Sequence, residues 1–431
     1  MTKQQVSIFW FRRDLRLEDN TALYHALQSG KPVIPLFIFD TYILDKLPKN
    51  DARVGFIHES LHKINSKLNS IDSSILVKKG TVLEVWQALF QEFEIAAVYL
   101  NKDYEPYALE RDLAIEALAK TNNASFFSFK DQVIFEEKEI TKSDGLPYTI
   151  YTPYKNKWLE KYKAIAPAIL YATEDYFSNF HKALFDFPVL GQIGFEASDI
   201  KVKPHNLTQI ANYNETRDFP AIDSTSYLSP HLRFGTVSIR KLVNWAVRKN
   251  HVFLSELIWR EFFMQILFSF PKVANHNFKS AYDGIQWRNN EEDFKRWCTG
   301  NTGYPMVDAG MRQLNETGYM HNRVRMVTAS FLCKHLLINW QWGEAYFAER
   351  LLDYDLSANV GNWQWASGTG CDAAPYFRVF NPDIQLKKFD EKGIYIRKWI
   401  PEFDLSYGTP MIDHAFARDR AIAAYKAGIL K

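Results

Sequence analysis

The chain has 431 residues, 47% hydrophobic and 24% charged, with a formal net charge of +2. That length allows two or three domains, each with its own core. No apolar run approaches the roughly 18 residues a bilayer span needs, and the start MTKQQVSIFWF lacks a signal-peptide layout, so membrane and secreted classes are excluded and a cytoplasmic location is expected.

Cys298, Cys333 and Cys371 are scattered without metal-ligand spacing, so reduced thiols and no metal site are expected. Residues 201–431 carry 29 Lys and Arg against 23 Asp and Glu, a balance of +6, while the first 200 carry 23 against 27, or −4. Nine of the twelve tryptophans lie from Trp245 onward. A basic, aromatic-rich half beside an acidic one points to nucleic acid on the C-terminal side.

In chain order, VSIFWF, VIPLFIFD, SILVKKG, AAVYLNKD and ASFFSFKDQVIF read as buried strands, rich in Val, Ile and Phe. Helical patterns alternate with them in TALYHALQSG, RVGFIHESLHKINSKL, VLEVWQALFQEF and PYALERDLAIEALAK. This alternation predicts a doubly wound parallel α/β domain over residues 1–135. The turn after the first strand, FRRDLRLEDN, is no GxGxxG loop, which argues against a dinucleotide cradle there. Residues 136–205, which include GLPYTIYTPYKNKW, read as a long linker. Over 206–431 helical periodicity takes over, predicting an all-α domain.

Four motifs in that second part could carry chemistry. TSYLSPHLRFG groups Thr225, Ser226 and Ser229 and places Pro230 after Ser229, as an N-cap followed by proline in the first helical position; this is either a phosphate site or simple capping. NYNETRDFP before it offers Tyr213 and Arg217. SELIWREFF sets Glu256, Trp259 and Arg260 on one helical face, for base recognition or as a surface Glu256–Arg260 ion pair. MHNRVRM holds Asn322, Arg323, Arg325 and Met326; the two arginines diverge on a helix, so one can meet Asp353 or Asp355 while the other faces solvent or DNA. GNWQWASGTG puts Trp363 and Trp365 just after Asp353, Asp355 and Asn359, more indole and carboxylate together than a core needs.

Taken together, WFRRDLRLEDN, TPYKNKWL, RDFP, TSYLSPHLRFG, ELIWREFF, TGYPMVDAGMRQLNETGYMHNRVRM and LLDYDLSANVGNWQWASGTGCDAAPYFRVFNP resemble the photolyase/cryptochrome family over nearly the whole chain. Within it the resemblance is to the bacterial class I cyclobutane pyrimidine dimer photolyases. It implies an all-α FAD-binding domain at 206–431 and light-driven electron transfer from reduced FAD to a dimer flipped out of DNA. Positions matching the FAD site are Tyr213, Thr225, Ser226, Tyr227, Leu228, Ser229, Arg325, Asp353, Tyr354, Asp355 and Asn359, with Arg325 paired to Asp353. Asn359 matches the residue facing the redox-active ring nitrogen, typically Asn in photolyases, Asp in plant cryptochromes and Cys in animal ones.

The same resemblance implies an electron relay Trp363, Trp340, Trp287 and a stacking pair Trp259 and Trp365 around the dimer. Glu256, Asn322 and Met326 match its pocket, and Arg217, Arg260, Arg323 and Gln385 match DNA-contacting positions. Photolyases for (6-4) photoproducts carry His where this chain has Asn322 and Met326. Folate-using relatives have Asn-Glu and Cys-Lys where it reads Tyr107-Ala108 and Val273-Ala274, so a folate antenna is not expected; a deazaflavin, a second flavin or an empty cleft stay open. The expected partner is dimer-containing DNA, with the protein a monomer. The rival reading is a cryptochrome-type blue-light receptor binding FAD.

Overall fold

The structure is a computed structural model that describes residues 4–429. Its chain divides into two compact units, each discontinuous in sequence. The first comprises residues 1–139, 158–205 and 227–248; the second comprises 140–157, 206–226 and 249–431.

In the first unit, β1 (Gln5–Phe11), β2 (Val33–Asp40), β3 (Leu76–Gly80), β4 (Glu94–Asn101) and β5 (Ser125–Phe129) form one parallel sheet in the order β3-β2-β1-β4-β5. Helices α1 (Thr21–Leu27), α2 (Ala52–Asn69), α3 (Val82–Glu92) and α4 (Pro106–Thr121) intervene. Every residue of β2 is buried, as a strand covered on both faces requires. Pro35 is tolerated within it because β3 pairs only from Leu36 onward, so the missing N–H costs no ladder bond on that side. The order reverses between β1 and β4, and there Arg12 donates to the Asn101 carbonyl and Asp112, while Asn101 Nδ2 donates to Asp14 at 2.6 Å and Asn20 at 2.8 Å.

The fifth strand is shorter than ASFFSFKDQVIF suggests. Asp131 is buried and accepts from Arg16 at 2.6 Å, Arg240 at 2.8 Å and the Thr21 N–H at 3.2 Å. That cluster takes the chain off the sheet after Phe129, although Val133, Ile134 and Phe135 remain buried. Within residues 136–205 the chain forms helix α5 (Tyr151–Ile165), and one of the boundaries between the units falls after Lys157. TSYLSPHLRFG likewise differs from its reading. Helix α6 (Leu228–Arg233) starts one residue before Ser229, its N-cap is Tyr227 at φ 53° and ψ 21°, and Pro230 is therefore its third residue. The left-handed turn at Tyr227 brings the chain into the helix earlier than a Ser229 cap would.

The second unit is helical. Its main helices are α7 (His251–Ser269), α8 (Pro305–Thr317), α9 (Asn322–Ser330), α10 (Trp340–Arg350), α11 (Leu356–Ser367), α12 (Pro382–Phe389) and α13 (His414–Gly428), with a π-helical turn at Phe331–His335. Trp297, Trp340, Trp363, Phe331 and Phe347 share one core with the aliphatic residues of α8 and α9. Two glycines set the helix spacing. A Cβ on Gly361 of α11 would lie 2.2 Å from Phe263 of α7, and one on Gly343 of α10 would lie 2.1 Å from Trp363 of α11. Both helices reach α11 at distances that no other residue allows.

Candidate active site

Helix α11 begins at Asp355, whose carboxylate accepts the Ala358 N–H at 3.1 Å and the Ser357 hydroxyl. The cap satisfies a helix-start donor. Steps of four place Asp355, Asn359 and Trp363 on one line of the helix. Asn359 is 9% exposed, and its Nδ2 donates to the Glu344 carbonyl at 3.1 Å and to Glu344 Oε1 at 2.8 Å. Its Oδ1 accepts no hydrogen bond among the described residues, which leaves an acceptor with a fixed direction. Burial raises the Glu344 carboxyl above the usual range, and the bond from Asn359 partly offsets this. Asp353, just before the cap, accepts both hydrogen bonds of Arg325 Nη2, at 3.2 and 2.9 Å, while Arg325 Nε donates to the Met320 carbonyl at 2.8 Å. Tyr354 packs half-buried against the same core.

A second group gathers on α7, the start of α9 and the chain before them. Glu256 is paired with Arg217, so the partner of this carboxylate comes from outside its own helix. Arg217 also lies 5.4 Å over the Tyr213 ring. Burial raises the Glu256 carboxyl against the pull of Arg217, and burial pushes the Tyr213 phenol up to about 12. Arg323 diverges from Arg325: it donates to Asp218 at 2.7 Å and covers Phe389 at 4.2 Å. Asn322 is exposed, with no side-chain hydrogen bond among the described residues, and Met326 follows one turn later, half-buried. Trp259, Arg260 and Gln385 are half-buried.

The indoles differ in setting. Trp363 is 2% exposed and edge-on to Phe347 at 4.9 Å, with Trp297 at 6.1 Å. Trp340 is also 2% exposed and donates its N–H to Asn277 at 2.9 Å. Trp287 is half-buried and stands edge-on to Tyr425 at 5.7 Å. Trp365, two residues from Trp363 and so on another side of α11, is half-buried with no ring contact among the described residues. Of the hydroxyl run, Thr225 and Ser226 belong to the second unit and Tyr227, Leu228 and Ser229 to the first; the Ser226 carbonyl accepts the Asn206 N–H at 2.8 Å.

Residues 253–405 match the family described as the FAD binding domain of DNA photolyase, and residues 7–171 match the DNA photolyase family. The deoxyribodipyrimidine photo-lyase of Agrobacterium fabrum is 35% identical, over 97% of each chain. The chain belongs to the DNA photolyase family. Among solved members, a bacterial class III photolyase from Agrobacterium tumefaciens is 33% identical with a TM-score of 0.87, covering 99% of this chain and 98% of its own. An archaeal photolyase from Sulfolobus tokodaii, described with two FAD molecules, is 32% identical with a TM-score of 0.82, covering 98% of this chain and 99% of its own.

The donor set suits the flavin that a photolyase holds. A reduced flavin ring presents an N–H at its redox-active edge, and the bare Oδ1 of Asn359 is an acceptor held from behind by Glu344. Asp353 is already neutralised by Arg325 and adds no unbalanced charge beside it. Sequence reading passed over three residues of this photolyase. Glu344 and Gly343 lie in WQWGEAYF, where a glycine inside a helical pattern was the available signal of close packing. His321 caps α9, its Nδ1 accepting the Arg323 N–H at 3.2 Å; nothing local marks it.

Proposed function

We propose that this protein binds DNA containing cyclobutane pyrimidine dimers and splits them in light, as a deoxyribodipyrimidine photo-lyase with FAD in its helical unit. The observation that carries the reading is Asn359, pinned through its amide nitrogen by Glu344 with its oxygen bare, on the same helix as Trp363 and Trp365. Bound, reduced and excited by light, FAD supplies an electron that opens the cyclobutane ring and then returns. Asn359 accepts a hydrogen bond from the ring edge without adding charge, and Arg325 holds Asp353 in place. Tyr213, Thr225, Ser226, Tyr227, Leu228, Ser229, Tyr354 and Asp355 complete the proposed cofactor contacts.

Glu256, with Asn322, hydrogen-bonds the extruded bases. Its carboxylate, held by Arg217, accepts from the base N–H groups. Trp259 and Trp365 stack on the dimer and Met326 fills the remaining wall. Arg217, Arg260, Arg323 and Gln385 touch the phosphate strand, which sets affinity and its salt dependence more than sequence preference. Trp363, Trp340 and Trp287 carry an electron vacancy outward in that order; the change from two buried indoles to a half-buried one supports this direction. The domain bounds 1–135, 136–205 and 206–431 follow the motif blocks.

Class I membership is proposed on the resemblance of the whole motif set from WFRRDLRLEDN to LLDYDLSANVGNWQWASGTGCDAAPYFRVFNP. Replacement of the folate-binding pairs by Tyr107-Ala108 and Val273-Ala274, with a two-FAD relative known, supports a flavin-type antenna over folate. A monomer in the cytoplasm is proposed as the working form.

Illumination of the reduced protein with a dimer-containing oligonucleotide should restore intact pyrimidines, counted by chromatography. No restoration in light, with FAD bound, overturns the reading. Trp363→Phe should cut light-driven reduction of the cofactor at least tenfold while sparing repair after chemical reduction, measured by absorbance and by pyrimidine recovery respectively.

A further inference from the structure

The segment TIYTPYKNKW contains a residue that the proposed function leaves unused. Tyr151 opens α5, and its N–H donates at 3.0 Å to Asp372, just beyond α11. Its hydroxyl donates to the Ser255 carbonyl at 2.7 Å and lies 2.6 Å from the Ser255 Oγ. The ring between these anchors lies flat on Trp259, with centroids 3.5 Å apart and planes 9° from parallel. This pair is more closely superposed than Trp259–Phe263, Phe294–Trp297 or Trp297–Phe347.

The rest of the indole's surroundings comes from its own helix. Phe263, one turn on, is 5.4 Å away and 28° from parallel, and Phe262 is edge-on at 5.6 Å. Phe262 also meets Tyr151 edge-on at 5.8 Å, closing a three-ring cluster. Trp259 nevertheless stays half-buried, so part of it remains available. A tryptophan on a helix surface can move among rotamers, and binding must then freeze one of them. A ring stacked on one face removes that freedom in advance. Tyr151 has this effect through an anchor more than a hundred positions away in the chain, tied at its other end to the segment following Trp365.

We propose that Tyr151 is a positioning residue for lesion capture: it covers one face of Trp259 and so fixes the plane in which the indole meets an extruded dimer. The inference rests on the reading of Trp259 as a dimer-stacking residue. Tyr151 touches no DNA in this scheme; its ring makes the stack, and its hydroxyl is only one of the two tethers that hold the ring there. A simple helix-start packing role would predict equal losses on every DNA.

The test uses the full chain with FAD bound. Affinities for one duplex with and without a thymine dimer are measured for the parent, Tyr151→Phe, Tyr151→Leu, Trp259→Ala and the Tyr151→Leu/Trp259→Ala double variant. The ratio of the two affinities cancels any loss of folded protein. Losing one aromatic stack should lower that ratio by about fivefold to tenfold in Tyr151→Leu. Tyr151→Phe should stay within about twofold of the parent, and Tyr151→Leu should add nothing once Trp259 is Ala. An unchanged ratio in Tyr151→Leu, or an equal further loss in the double variant, overturns the proposal while leaving Trp259 as a stacking residue. An undiminished ratio in Trp259→Ala sinks the stacking reading itself, and this inference with it.

Discussion

At the scale of single residues, the site is governed by which atom of each polar group is already taken. Asn359 could present either end of its amide, and Glu344 decides the matter by accepting from the nitrogen through both its carboxylate and its backbone carbonyl. Glu344→Ala removes the side-chain acceptor and lets the amide turn. With a hydrogen bond worth about 1 kcal/mol, the photoreduced cofactor should reoxidise in air roughly fivefold faster. Following its absorbance after a light pulse checks this, and an unchanged lifetime would show that the carboxylate does not orient the amide. The paired ends of such contacts decide what a sequence reveals. Arg325 and Asp353 were nameable because both sit in motifs rich in their type. Glu344 and Tyr151 were not, because each acts through a partner brought to it by folding, and no spacing along the chain records that.

At the scale of elements, helix α11 is the common support, and its neighbours approach it through glycines. Gly343→Ala would set a methyl 2.1 Å from the Trp363 ring and 2.5 Å from Leu332. Overpacking of this kind costs about 1–3 kcal/mol. The urea midpoint should fall accordingly, and the fluorescence of Trp363 should shift as the indole is displaced. Stability and emission both equal to the parent would mean that α10 moves away freely. The strands of the sheet were readable because a parallel strand buried on both faces is a continuous apolar run. The end of β5 was not, because buried Asp131 diverts a chain whose next residues are just as apolar. Helix α5 hid for the opposite reason: its Tyr, Lys and Pro residues give weak helical periodicity, and tertiary contacts decide its state.

At the scale of the whole molecule, two histidines that folding shields from water make stability depend on pH. Burial lowers His321 to about 4 and His335 to about 3, and His335 shares a 2.9 Å contact with His414. Both fold neutral, whereas in the unfolded chain they take protons near pH 6.5. Stability is therefore retained above that pH and lost as pH falls from about 6.5 towards the folded values, by about 2 kcal/mol for each histidine at pH 5. The half-buried carboxyls of Glu256 and Glu344, both raised by desolvation, act in the opposite sense. Denaturant midpoints at pH 7 and pH 5 should differ accordingly, and His321→Asn, which can still cap α9, should halve the difference. Equal midpoints in the two buffers would rule this out.

The interleaving of the two units carries a consequence for synthesis on the ribosome. Residues 140–157 belong with the second unit, yet they emerge long before α7, so Tyr151 must wait for about a hundred further residues before Trp259 exists to receive it. A gene fragment beginning at codon 206 would never supply that ring, and the helical half it encodes would be born with one indole loose.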